Sequence, residues 1–133
     1  MIRPDWDTYF MNIANEESKR STCPRASVGA VIVKDNRILS TGYNGAPAGE
    51  AHCTEVGCLI VNNHCERTIH AETNAVVQAA RFGTAINGST LYCYSVRHHT
   101  AEHYEGKSGG VVENCIKCMQ VMKAAGIVRV VTN

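Results

Sequence analysis

Apolar and polar positions alternate along this chain in two distinct rhythms. Trp6, Tyr9, Phe10, Ile13 and Ala14 recur at helical spacing behind Asp5 and Asp7, either of which can cap a first helix running to about Arg20. Residues 28–33 form an apolar, β-branched run. The polar turn Lys34-Asp35-Asn36-Arg37 follows, and 38–43 reads as the returning strand of a hairpin. The stretch 44–67 is irregular, with Gly, Pro, His and three cysteines, a length uncommon for a loop that is neither functional nor pinned by a metal. Periodicity returns at 71–82, a helix with Ala75, Val76 and Ala79 on one face and Gly83 as its stop. A strand at 90–94, a polar excursion at 95–113, a helix from an Asn114 cap to about Ala125, and a last strand at 127–131 complete the pattern. A hairpin followed by strands alternating with helices predicts an α/β fold, a mixed β-sheet covered by helices.

Composition narrows the classes. At 133 residues and 44% hydrophobic content the chain suits one domain, 1–133, with one core. A net charge of +1 argues against a nucleic-acid surface, and no basic-aromatic groove for a strand clusters here. No apolar run approaches the ~18 residues of a membrane span. The start lacks the apolar core of a signal peptide, so a reducing cytoplasm is the expected compartment. There, seven cysteines point to metal ligation before disulfides.

Two pieces carry chemistry. His70-Ala71-Glu72 opens one predicted helix and Cys115-Ile116-Lys117-Cys118 opens the next. A Cys-x-x-Cys pair puts two thiolates one helical turn apart, helix N-termini favour the thiolate form, and His70 can supply a third ligand. Three protein ligands leave a fourth zinc position open, the arrangement of a catalytic site. Glu72 is then placed for general acid/base work: zinc lowers the pKa of water from ~15.7 towards ~7, hydroxide attacks a ring carbon bearing an amine, and Glu72 carries the proton to the ring nitrogen. Alone, a Cys-x-x-Cys is as readily a structural zinc knuckle or a redox pair. Joined to His-x-Glu with a strand between, it forms the signature of zinc deaminases.

The chain at this point resembles the deoxycytidylate deaminases of the cytidine deaminase superfamily. The resemblance is carried by RSTCPR at 20–25, VGAVIV at 28–33, GYNGAPAG at 42–49, HCTEVGC at 52–58 and HCERTIHAETNA at 64–75, together with the Cys-x-x-Cys. It implies a three-layer cytidine deaminase-like fold with helices on both sheet faces, catalytic zinc on His70, Cys115 and Cys118, and Glu72 as proton shuttle. It implies hydrolysis of dCMP to dUMP and ammonia, feeding thymidylate synthesis. It also implies a homohexamer activated by dCTP with Mg2+ and inhibited by dTTP, with Gly42, Tyr43, Asn44 and Gly45 holding the effector. Arg25, Ser27, Asn44 and Ala71 are the substrate candidates. Arg25 suits a phosphate by its guanidinium fork, though an exposed loop charge reads the same way, and Gly42 and Gly45 also fit ordinary turn chemistry.

Members of that family can carry a second, structural zinc around the residues matching Cys23 and Cys53. Here Cys23, Cys53, Cys58 and Cys65 would form a closed thiolate site, with His64 as an alternative to Cys58 or Cys65; buried free cysteines are the other reading. Two departures stand out: Asn114 where the family usually has Pro, and the long 95–113 insert, whose His98, His99 and His103 read as solvated or packed side chains, with a metal ligand among them as the other reading. Cys93 reads as a core strand residue. A deaminase of another small amine, such as a pteridine or riboflavin precursor, and a non-catalytic nucleotide-binding protein on the same fold remain the alternatives.

Overall fold

The computed structural model describes residues 1–62, 64–98 and 116–133. Its elements run α1 (Trp6–Ser18), β1 (Ala26–Lys34), β2 (Arg37–Tyr43), α2 (Cys53–Val56), β3 (Ile60–Val61), β4 (His64–Cys65), α3 (Ala71–Arg81), β5 (Thr90–Arg97), α4 (Ile116–Ala124) and β6 (Arg129–Thr132). The main sheet has the order β2-β1-β5-β6. β1 is antiparallel to both neighbours, and β5 and β6 run parallel across the intervening α4. The sheet is therefore mixed, as the element pattern predicts.

Strand alternation sorts the core into two layers. Val28, Ala30 and Ile32 of β1 join Leu91 and Cys93 of β5 in packing against Ala71, Ala75 and Ala79 of α3 and Cys118 and Met122 of α4. On the opposite face Val31, Val33 and Tyr92 pack against Phe10 and Ala14 of α1. Helices thus cover both faces, and small residues set how closely they approach. A β-carbon at Gly29 would stand 2.1 Å from the Ala14 carbonyl oxygen, so only glycine lets α1 lie this near the sheet.

The β1–β2 hairpin closes on Asp35 and Asn36, whose φ values of 51° and 57° define the two-residue turn that matches strand twist. Asp5 is the α1 cap, accepting from the Thr8 amide at 2.8 Å, while Asp7 turns to Arg129 and Tyr92. The apolar stripe of α1 is narrower than the spacing predicts. Phe10 and Ala14 are buried, while Trp6 stacks over Phe10 and stays half-exposed.

The stretch expected to be irregular contains a four-residue helix and a two-stranded hairpin, β3–β4, too short to show periodicity in sequence. β5 extends to Arg97 where a strand ending at Tyr94 was expected, because Ala26 and Ser27 of β1 pair with Arg97 and Val96. The rest of the 95–113 insert beyond His98, with Asn114 and Cys115, lies outside the described residues. Among the described residues no helix is long and apolar enough to cross a membrane.

Candidate active site and cysteine cluster

His70 is the N-cap residue of α3, with extended backbone geometry, yet its side chain makes no cap hydrogen bond. The ring turns instead towards α4, where its Nδ1 lies 3.1 Å from the Sγ of Cys118, a partner 48 residues away. Cys118 is buried as the third residue of α4 and faces the core. Glu72, two residues past His70, is 5% exposed in the first turn of α3. The ligand atoms of His70, Glu72 and Cys118 all lie within 4.8 Å of one another. Thr73 Oγ1 adds a contact to Cys118 Sγ at 3.7 Å.

This donor set fits zinc. An imidazole nitrogen and a sulfur are the ligand types zinc prefers, and the sulfur sits near a helix N-terminus, where positive partial charge favours thiolate. The predicted third ligand, Cys115, lies outside the described residues.

The segment ahead of His70 is fastened to β2. Gly45 and Ile69 form a two-way bridge at 3.2 and 2.9 Å, and Asn74 of α3 donates to the Tyr43 carbonyl at 2.8 Å. Gly42 lies directly under α3. The residues predicted for the effector, Gly42, Tyr43 and Gly45, thus seat the helix that carries His70 and Glu72. Asn44 is buried, and its amide is used on β1: its oxygen accepts from the Val28 amide and its nitrogen donates to the Ala26 carbonyl, both at 2.9 Å.

Among the remaining substrate candidates, Ala71 is fully buried under the site. Ser27 Oγ lies 2.7 Å from the Nε2 of His98, an exposed residue at the end of β5. Arg25 is half-buried, and its carbonyl accepts from the His98 amide at 3.0 Å.

Sequence reading placed Cys93 in the core, where it is, but missed its contact. Its Sγ donates to Glu72 Oε1 at 3.2 Å. Burial, reinforced by the negative charge of Glu72, pushes this thiol strongly up, so it stays protonated. The signal was present: Leu91 and Cys93 share a strand face, and Leu91 is an evident core residue.

The second cluster gathers three of its four predicted cysteines. The sulfurs of Cys53, Cys58 and Cys65 lie within 4.8 Å of one another, with Cys53 and Cys65 3.4 Å apart. Thr68 Oγ1 touches Cys53 Sγ at 3.2 Å. Burial and the neighbouring thiol of Cys53 push Cys58 up to about 12. Burial also raises Cys65, but hydrogen bonds from Thr68 and the Arg67 backbone outweigh it and bring that thiol down to about 7. Cys23 is beyond this grouping, though near enough for its charge to act on Cys58. His64, the alternative ligand, is exposed on β4 and is likewise outside it.

Comparison with known proteins places this geometry. Residues 4–133 match the family model for the cytidine and deoxycytidylate deaminase zinc-binding region. ComE operon protein 2 of Bacillus subtilis is 42% identical over 127 residues, 96% of this chain, which spans only 58% of that relative's length. The deoxycytidylate deaminase of Mycobacterium phage D29 is 38% identical, covering 98% of this chain and 96% of its own. The crystal structure of the dCMP deaminase from cyanophage S-TIM5 in complex with dCMP and dUMP superposes with a TM-score of 0.73 at 27% identity, covering 99% of this chain and 83% of that one. A match running from residue 4 to the last residue, over a fold that turns His70 and Glu72 towards Cys118, makes this chain a member of the cytidine and deoxycytidylate deaminase family.

Proposed function

We propose that this chain is a zinc-dependent dCMP deaminase: dCMP and water are converted to dUMP and ammonia. The observation that carries the reading is the His70–Glu72–Cys118 cluster, a nitrogen and a sulfur donor in contact with each other and a buried carboxylate within 4.8 Å of both. The likeness to the phage D29 and S-TIM5 deaminases supports dCMP as the substrate. Zinc held by His70, Cys115 and Cys118 would supply a Lewis acid that makes water a nucleophile at neutral pH. Glu72 takes one proton from the attacking water and delivers it to the ring nitrogen, then moves the remaining proton of the added hydroxyl to the amino group, so that the carbonyl forms as the carbon–nitrogen bond breaks and ammonia leaves. Burial of Glu72 keeps bulk water from competing for that proton.

In this reading Arg25 holds the substrate phosphate, with Ser27, Asn44 and Ala71 shaping the site around sugar and base. The dUMP formed supplies thymidylate synthesis. The same reading makes residues 1–133 one deaminase domain of a cytoplasmic homohexamer, activated by dCTP with Mg2+ and inhibited by dTTP. Since Gly42, Tyr43 and Gly45 fasten the segment bearing His70, an effector bound at that stretch would have a short route to the site. A second, structural zinc on Cys53, Cys58 and Cys65, completed by Cys23, would tie down the loop between β2 and α3.

The test is a substrate panel with ammonia detection, run on zinc-loaded protein with and without dCTP and dTTP. Turnover of dCMP is expected, with Glu72→Ala inactive but still holding zinc. Turnover of a pteridine and not of dCMP would overturn the substrate, and full activity in Glu72→Ala would overturn the proton shuttle.

A further inference from the structure

Glu72 must keep one orientation to move a proton between two fixed atoms, yet a glutamate side chain has three rotatable bonds and loses considerable entropy when held still. Among the described residues, a single group hydrogen-bonds its carboxylate, and that group is Cys93, 21 residues on and in a different element. Both are almost completely buried, Glu72 at 5% and Cys93 at 4% exposure. Cys93 is also on firm backbone. It sits in β5, paired with Ala30 of β1 on one side and Thr132 of β6 on the other.

We propose that Cys93 is a positioning residue for the deamination: its thiol donates to Glu72 Oε1 at 3.2 Å and holds the carboxylate in one rotamer, leaving Oε2 to carry the proton. The assignment rests on the reading of Glu72 as proton shuttle. A thiol is a weak donor, so it orients the carboxylate without neutralising it. An apolar side chain of similar size would fill the space but leave a buried acceptor unsatisfied, which favours rotation of the carboxylate away from its working position.

The test compares Cys93→Val, which still fills the space and loses the donor, with Cys93→Ser, which keeps a donor, in the zinc-loaded full chain. The expected result for Cys93→Val is a kcat about tenfold lower at unchanged KM and zinc content, the lower end of what is lost when a hydrogen-bond partner of a metal-site ligand is removed. Cys93→Ser should recover most of the loss. Wild-type kcat in a folded, zinc-loaded Cys93→Val, or a serine variant as slow as the valine one, would overturn the proposal.

An infrared measurement decides the contact without turnover. Subtracting the Cys93→Ser spectrum from the parent isolates the Cys93 S–H stretch, and the same subtraction in a Glu72→Ala background should give a band at higher frequency. An unmoved band overturns the proposal even if Cys93→Val fails to fold. If the parent enzyme does not act on dCMP, it is the substrate assignment that fails; the infrared shift then upholds or removes the contact by itself.

Discussion

Gly42 of β2 and Ala75 of α3 meet backbone to backbone: a β-carbon at position 42 would stand 2.5 Å from the Ala75 amide nitrogen and 2.6 Å from the Ala71 carbonyl oxygen. Neither obstacle is a flexible side chain. Gly42→Ala must therefore push α3 off the sheet, and α3 carries Glu72. The expected loss is about 2 kcal/mol of stability, the range for overpacking a filled interior, together with a fall in turnover. Urea unfolding beside a kinetic assay checks both. A variant as stable as the parent would show that the helix can shift without cost.

Asn44 is expected to matter first as a structural residue. Replacing it with alanine takes the side-chain acceptor from the Val28 amide and one of two side-chain donors from the Ala26 carbonyl, which Ser21 Oγ still reaches at 3.1 Å, and costs about 2 kcal/mol. Denaturant unfolding without ligand should register this loss in full. A rise in KM for dCMP beyond what instability explains would indicate that the same side chain also reaches the substrate.

The two cysteine-bearing sites should separate by metal counting. Cys118→Ser is expected to remove one zinc per chain and all turnover, whereas Cys58→Ser should remove a different zinc, lower the melting temperature and leave substantial turnover. Elemental analysis of both variants and the parent makes the comparison. A parent with one zinc per chain, unaffected by Cys58→Ser, would reduce the second cluster to buried thiols.

Asp7 gives a pH signature at the opposite face. The Arg129 guanidinium and the Tyr92 hydroxyl hydrogen-bond its carboxylate and hold it at about 2, below its ordinary 3.8. The folded chain binds this proton less readily than the unfolded chain. The resulting stability is complete above pH 3.8 and is lost as pH falls through about 2. Asp7→Asn should be less stable than the parent at neutral pH, with the difference shrinking over that interval. Because the pair is half-exposed, the effect should also weaken with salt. A difference that persists unchanged below pH 2 would assign it to packing.

Much of this was open to reading from the residues alone. The apolar runs of β1 and β5 and the small-residue face of α3 set element type and order, because periods of two and of 3.6 leave a plain trace over seven or more residues. The His-x-Glu and Cys-x-x-Cys spacings pointed to candidate donors, because ligand chemistry belongs to residue type and not to distance along the chain; of these the fold brings His70, Glu72 and Cys118 together. Short α2 and the β3–β4 hairpin left no such trace, since elements of two to four residues are held by contacts made elsewhere.

What only the tertiary structure decided is which groups meet. It brings His70 to Cys118 across 48 residues and sets Cys93 against Glu72. It spends the Asn44 amide on β1. It also makes Gly42 a seat for α3, a demand that sequence reading cannot separate from turn chemistry. The physical reason is common to all four. Residue type specifies what a side chain can do, whereas its partner depends on sheet register and helix approach, which form only when the whole core packs.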